Sequence, residues 1–159
     1  MGSHKILDLV DSALVAYVLA HIDPDYGTDA DVLPGKAVGG KELPVTLCDA
    51  ASWNVPEGME YTGNSLVRAT VSIVSAAYNS DASVDTVAAS KARTEATFDL
   101  FYEQDTQALG AAITSDAAAA DITVSVMACT VIGGNRTQTD DAFIDSLELE
   151  LLACPSALT

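Results

Sequence analysis

The stretch most able to carry chemistry is LVRATVSIVSAAYNSDASVDTVAASKARTEATFDLF, residues 66–101, where an alternating apolar run enters a polar turn and leaves as a helix. Many α/β enzymes hold a phosphate or a nucleophile at such a junction. The turn AAYNSDAS, 76–83, contains no glycine, yet a phosphate cradle needs glycines so that backbone N–H groups can approach the anion. Asp81 and Asp85 at the helix start would repel phosphate and instead complement the helix dipole. The junction reads as an acidic strand-to-helix turn.

Other constellations are weaker still. The run DPDYGTDAD, Asp23–Asp31, has the look of a calcium loop, but counting from Asp23 puts Gly27 fifth, Thr28 sixth and Pro34 twelfth. An EF-hand requires an oxygen ligand, glycine and a bidentate glutamate there, so the run is a solvated loop with at most a weak cation site. His4 and His21 are the only histidines and no GxSxG elbow is present, so no nucleophile–base pair is selected. Cys48, Cys129 and Cys154 show no CxxC pairing and read as buried structural thiols, which points weakly to a reducing compartment. No zinc-ligand spacing occurs either. Asp140 and Asp141 are adjacent carboxylates that no spacing rule selects, and the sequon Asn135-Arg136-Thr137 has meaning only in a secreted protein. No catalytic, cofactor-binding or metal-binding residue is therefore assigned.

The elements that would position any site follow from periodicity. Residues 5–22 place Ile6, Leu7, Val10, Leu14, Tyr17, Val18 and Ile22 at helical spacing, with Ser3 as N-cap. A long Gly-, Pro- and Asp-rich loop follows over 23–42. LPVTLCD, 43–49, alternates as a strand. A second strand, 65–76, sets Val67, Ala69, Val71 and Ile73 against Leu66, Arg68, Thr70, Ser72 and Val74. Ser83 caps a long helix continuing through Val84, Val87, Ala88, Lys91, Ala92, Phe98 and Phe101, and Asp105 caps a shorter one with Leu109 and Ile113 inward. A third strand, 121–132, carries Ile122, Val124, Val126, Ala128 and Ile132 on one face. After the turn-rich GGNRTQTDD, a fourth points Phe143, Leu147, Leu149 and Leu151 inward and Ser146, Glu148 and Glu150 outward. The order α-β-β-α-α-β-β, with strands adjacent in sequence, predicts one α+β domain spanning 1–159 with a four-stranded, mainly antiparallel sheet. Met1–His4 reads as a flexible or cloning-derived segment and is given no functional weight.

Composition bounds the partners. A chain of 159 residues with 49% hydrophobic and 19% charged side chains can fold alone, burying roughly 70% of its unfolded surface. Its 23 acids against seven bases give a net charge of −16, which disfavours nucleic-acid binding. No cleavable leader or membrane-spanning run is apparent, and Asp8, Asp11 and His21 break the first apolar stretch.

Taken together, ILDLVDSALVAYVLAHI, LPVTLCDA, VRATVSIVSAA, the break YNSDAS, KARTEATFDLF and SLELELLA, in that order, resemble the tail terminator (tail completion, minor tail) proteins of long-tailed bacteriophages. The resemblance covers most of the chain and rests on pattern and order, not on a catalytic signature. It implies a non-enzymatic virion protein without cofactor, forming a hexameric ring on the head-proximal end of the tail tube at the head–tail junction after assembly in the host cytoplasm. It further implies contacts with tail tube protein and with head-completion or neck proteins, and passage of DNA through the lumen without specific binding. Another head–tail connector has similar size and composition. A small acidic intracellular enzyme or ligand-binding module is the reading from a different class.

Overall fold

The computed structural model describes residues 3–26, 32–35, 44–55, 64–76, 84–102, 105–138 and 142–155. Three helices and five strands follow in the order α1 (Ser3–His21), β1 (Val32–Pro34), β2 (Val45–Asn54), β3 (Ser65–Ala76), α2 (Val84–Tyr102), α3 (Thr106–Ala119), β4 (Val124–Gln138) and β5 (Ala142–Pro155). The strands form one sheet in the order β1-β2-β3-β5-β4. The fold is α+β, as expected, but the sheet has five strands and is mixed, because β1 pairs parallel to β2. The extra strand lies within the region expected to be loop, 23–42. Three residues are too few to show an alternation, so Val32–Pro34 is recruited by its pairing with Thr46–Cys48 and not by its own pattern.

The inward faces of β3 and β5 are those expected. Val67, Ala69, Val71, Ile73, Leu147, Leu149 and Leu151 are all buried. Registers Val71↔Leu147 and Ala69↔Leu149 set them side by side beneath the helices. On β2 the residues sharing that face are Thr46, Cys48 and Ala50, since they pair with Ile73, Val71 and Ala69. Val45 and Leu47 face the other way.

Expectations for β4 need two corrections. Bulges between Val126 and Ala128 and between Val131 and Gly133 each add a residue, and each reverses the alternation beyond it. Cys129 thus turns into the core, while Ala128 joins the opposite face and Ile132 is 40% exposed. Nor does β4 end at Ile132. It runs through GGNRTQ to Gln138, paired with β5 as far as Phe143. Gly134 is admitted there because a Cβ would stand only 3.0 Å from the Ser146 carbonyl oxygen.

α1 presents Ile6, Val10, Ala13, Leu14, Tyr17 and Val18 to the core, all at most 4% exposed, as the spacing required. It begins at Ser3, so that residue opens the helix instead of preceding it. α3 is capped by Asp105, whose carboxylate accepts from the Ala108 amide at 2.8 Å. Leu109 and Ile113 are buried as expected. At its other end Ile122 N–H bonds Ala117 C=O at 2.8 Å, and Asp121 takes φ +62°, a Schellman-type close with aspartate in the left-handed position.

α2 buries Phe101 and packs the half-buried Phe98 against the core, as expected, but its other inward positions differ: Lys91 is exposed, whereas Ser90, Arg93, Thr94 and Thr97 are buried. Side chains 84–89 and the proposed cap Ser83 lie outside the described residues.

Candidate interaction surface

All three helices lie over the face of the sheet that carries Val71 and Leu147. Among the described residues no helix covers the opposite face. Down β3 that open face presents Leu66, Arg68, Thr70, Ser72 and Val74, the set expected to be outward. β5 adds Ile144, Ser146, Glu148, Glu150 and Leu152.

Its middle is polar. The Ser72 and Ser146 hydroxyls, directly opposite in the register, are 3.0 Å apart and hydrogen-bonded. Arg68 Nη2 lies 3.5 Å from Glu150 Oε2, an exposed pair that contributes only a few tenths of a kcal/mol, roughly 0.2–1. One end is apolar: Val45, Leu47 and Val74 form a small buried cluster of their own, with Leu33 and Ile144 packed against it.

Two hollows meet on this face. One, of about 300 Å³, is lined by Leu47, Val74 and Ile144 together with Asp49, Ser72 and Ser146. The other, of about 120 Å³, lies between Arg68 and Glu148, with Ala51, Ala69 and Ile132 around it. Thr70 borders both. Among the described residues, Asp49, Glu148 and Glu150 stand on or beside this surface against Arg68, an acidic balance.

No family model and no curated protein matches the chain.

The helix-covered face holds the other polar assembly, a seam beneath α2. Ser90, Arg93, Thr94 and Thr97 follow the i, i+3, i+4, i+7 spacing of one helix face, but with polar side chains. Arg93 Nη2 donates to Thr46 Oγ1 at 2.9 Å, and Thr94 Oγ1 donates to Asp145 Oδ2 at 3.3 Å. The Ser90 and Ser75 hydroxyls are hydrogen-bonded to each other. Asp145, only 5% exposed, also accepts from Arg136 Nε at 2.7 Å, and that guanidinium stacks 4.8 Å over the Phe143 ring. Thr46, Ile73, Asp145 and Arg136 fall in one cross-strand row, so the seam spans the sheet. Further along α2, Phe101 packs on Tyr17 with ring centroids 5.3 Å apart, and the Tyr17 hydroxyl donates to the Leu100 carbonyl. A search for apolar periodicity passes over the seam; its signal was the polar periodicity itself.

The residues singled out for chemistry are dispersed. His21 Nε2 lies 2.7 Å from Asp116 Oδ2, tying α1 to α3 at an exposed site. His4 lies in α1, with its side chain outside the described residues. Asp25 N–H donates to Asp23 Oδ1 at 2.9 Å, a local turn bond, while 27–31 of that run fall outside the described residues. So do residues 77–83 of the turn after β3, including Asp81, and the pair Asp140–Asp141; Asp85 is in α2 with its side chain undescribed. Among the described residues no three His, Cys, Asp or Glu side chains are grouped to hold a metal.

Cys48 and Cys129 are buried thiols, as expected, and burial raises both, Cys129 to about 12. Cys154 is only partly buried, because it belongs to the open face opposite Ser125. Asn135 and Thr137 of the sequon are exposed on edge strand β4. Among the described residues no helix is long and apolar enough to cross a membrane.

Among the described residues the most perturbed carboxyl is Asp11. Burial pushes it from 3.8 up to about 6; the Ala50 amide bound to it works the other way, and the charges of Asp49 and Asp8 add to the rise. That bond has a structural reason. Among the described residues β1 pairs no further than Cys48, and Asp11 of α1 supplies the acceptor for the Ala50 N–H.

Proposed function

We propose that this chain is a structural virion protein that caps the head-proximal end of a long-tailed phage tail tube as a hexameric ring, ending tube growth and joining tail to neck. The observation that carries the reading is the sheet face left without a helix among the described residues, continuous across β2, β3, β5 and β4. A face of this kind suits a partner surface better than a reaction centre. It holds open hollows and mixed charge, and among the described residues no acid–base pair converges at their floor.

A ring closed by rotation joins two different surfaces of each copy. The edge of β4 beyond Cys129, with Thr130, Ile132 and Arg136 exposed, offers one of them and leaves the open face for tube or neck protein. The net charge of −16 supports a lumen that DNA crosses without adhering, since phosphates meet few lysines or arginines.

Native mass spectrometry over a concentration series, with negative-stain imaging, tests the proposal. A closed hexamer, together with portal, neck and tube genes flanking this one, is the expected result. A strict monomer at every concentration, encoded away from such genes, would overturn it.

A further inference from the structure

We propose that the open sheet face receives an extended, lysine- or arginine-bearing segment of a different protein, with its side chains seated in the two hollows that meet at Thr70. The inference rests on reading this face as a docking surface, and not on ring formation.

Shape suggests an extended segment. The hollows follow one another along β3, the first bordered by Arg68 and Thr70 and the second by Thr70, Ser72 and Val74. Side chains on one face of a strand repeat every ~7 Å, so an extended peptide lying along β3 can direct alternate residues into successive hollows.

Wall chemistry selects the side chains. Ile144, half-buried beside the buried Leu47 and Val74, offers apolar surface for a methylene stem in the larger hollow, and the exposed Ile132 does so in the smaller. Around them stand the Ser72, Ser146 and Thr70 hydroxyls and the Asp49 and Glu148 carboxylates, all able to accept from an ammonium or guanidinium. A carboxylate has several acceptor positions, so a new donor adds to whatever it already binds.

Charge excludes the simpler occupants. Among the described residues this face sets three acids, Asp49, Glu148 and Glu150, against Arg68, a balance that repels nucleic acid. Two copies meeting face to face would juxtapose like charges, in a chain that already carries −16. A basic segment from another protein gains from both circumstances.

The test is isothermal titration of the full chain with a short synthetic peptide alternating Lys and Val, beside its Glu–Val counterpart, and with amide NMR shifts read on the wild type. Saturable binding of the lysine peptide alone, with the largest shifts at Thr70, Ser72 and Ser146, is expected. Glu148→Gln should weaken it about two- to five-fold, the strength of an exposed ion pair. Thr70→Trp, which blocks the junction of the hollows while suiting a strand, should abolish it. Glu95→Gln, an exposed acid on α2, should leave it unchanged. Absence of saturable binding, equal weakening by Glu95→Gln, or shifts centred elsewhere would overturn the inference. Native mass spectra of the same samples separate the two proposals: rings without peptide binding sink this one alone, and binding without rings upholds it while counting against the ring.

Discussion

The Thr114 hydroxyl accepts a hydrogen bond from the Val126 amide at 2.8 Å, where α3 crosses the first bulge of β4. The same hydroxyl lies within donating distance of the Gly110 carbonyl, at 2.9 Å, and of the Val126 carbonyl, at 3.1 Å. A threonine one turn beyond a glycine thus joins helix to strand at a point where the β4 ladder is interrupted. Thr114→Val keeps the shape and removes the acceptor. It should cost about 1–3 kcal/mol, the penalty for leaving a buried amide unsatisfied, measured by urea denaturation.

Gly110 allows that approach. A Cβ there would stand 2.7 Å from the Val126 carbonyl oxygen and 2.8 Å from the Ala128 nitrogen, both backbone atoms that cannot rotate away. Alanine in mid-helix normally gains about 1 kcal/mol over glycine. At this position the clash should win, and Gly110→Ala should lower stability by about 1–3 kcal/mol, the range for overpacking. An unchanged or raised melting temperature would show that α3 can slide along β4.

Asp11 sets a pH dependence whose sign can be worked out. Its folded-state value, about 6, lies above the ordinary 3.8, so the folded protein holds this proton more tightly than the unfolded chain. Its contribution to stability is therefore fully present below 3.8 and declines as pH rises through about 6. Asp11→Asn retains an oxygen for the Ala50 amide without the charge. The variant should melt above wild type at about pH 8, with the difference vanishing toward about pH 4.

Asp121 occupies the left-handed position that closes α3 at φ +62°. Glycine has no steric penalty there. Asp121→Gly is expected to raise stability by about 0.5–1 kcal/mol, despite the added freedom of the unfolded chain. Asp121→Val should lower it, because a β-branched residue resists positive φ. Paired denaturation curves would decide both.

Val71 lies at the centre of the helix-covered face and is fully buried. Val71→Asp would bury a charge with no partner built for it and should abolish cooperative folding. A soluble variant with a sharp melting transition would contradict the face assigned to β3.

Burial by alternation was legible wherever a strand was long and regular. Leu66 to Val74 and Phe143 to Leu151 declared both of their faces, and the Val10–Leu14–Tyr17–Val18 stripe declared α1. The cap at Asp105 was equally local, since a side chain three residues before an amide needs no distant partner. Even the open face of β3 was written in its polar positions.

Tertiary structure decided the rest, because those features depend on partners remote in the chain. Val32–Pro34 becomes a strand only beside Thr46–Cys48. The bulges of β4, which send Cys129 inward and Ala128 outward, register only against β5 and α3. From Ser90 to Thr97 the inward face of α2 is polar because Thr46, Ser75 and Asp145, brought together by the sheet, supply hydrogen bonds that make Ser90, Arg93 and Thr94 tolerable there. The sequence by itself determined three helices, the main strands and a strongly acidic chain, since each follows from neighbours a few residues apart. Which faces are covered, and hence which surface remains for a partner, required the assembled sheet, because covering a face is a property of packing between elements and not of any one of them.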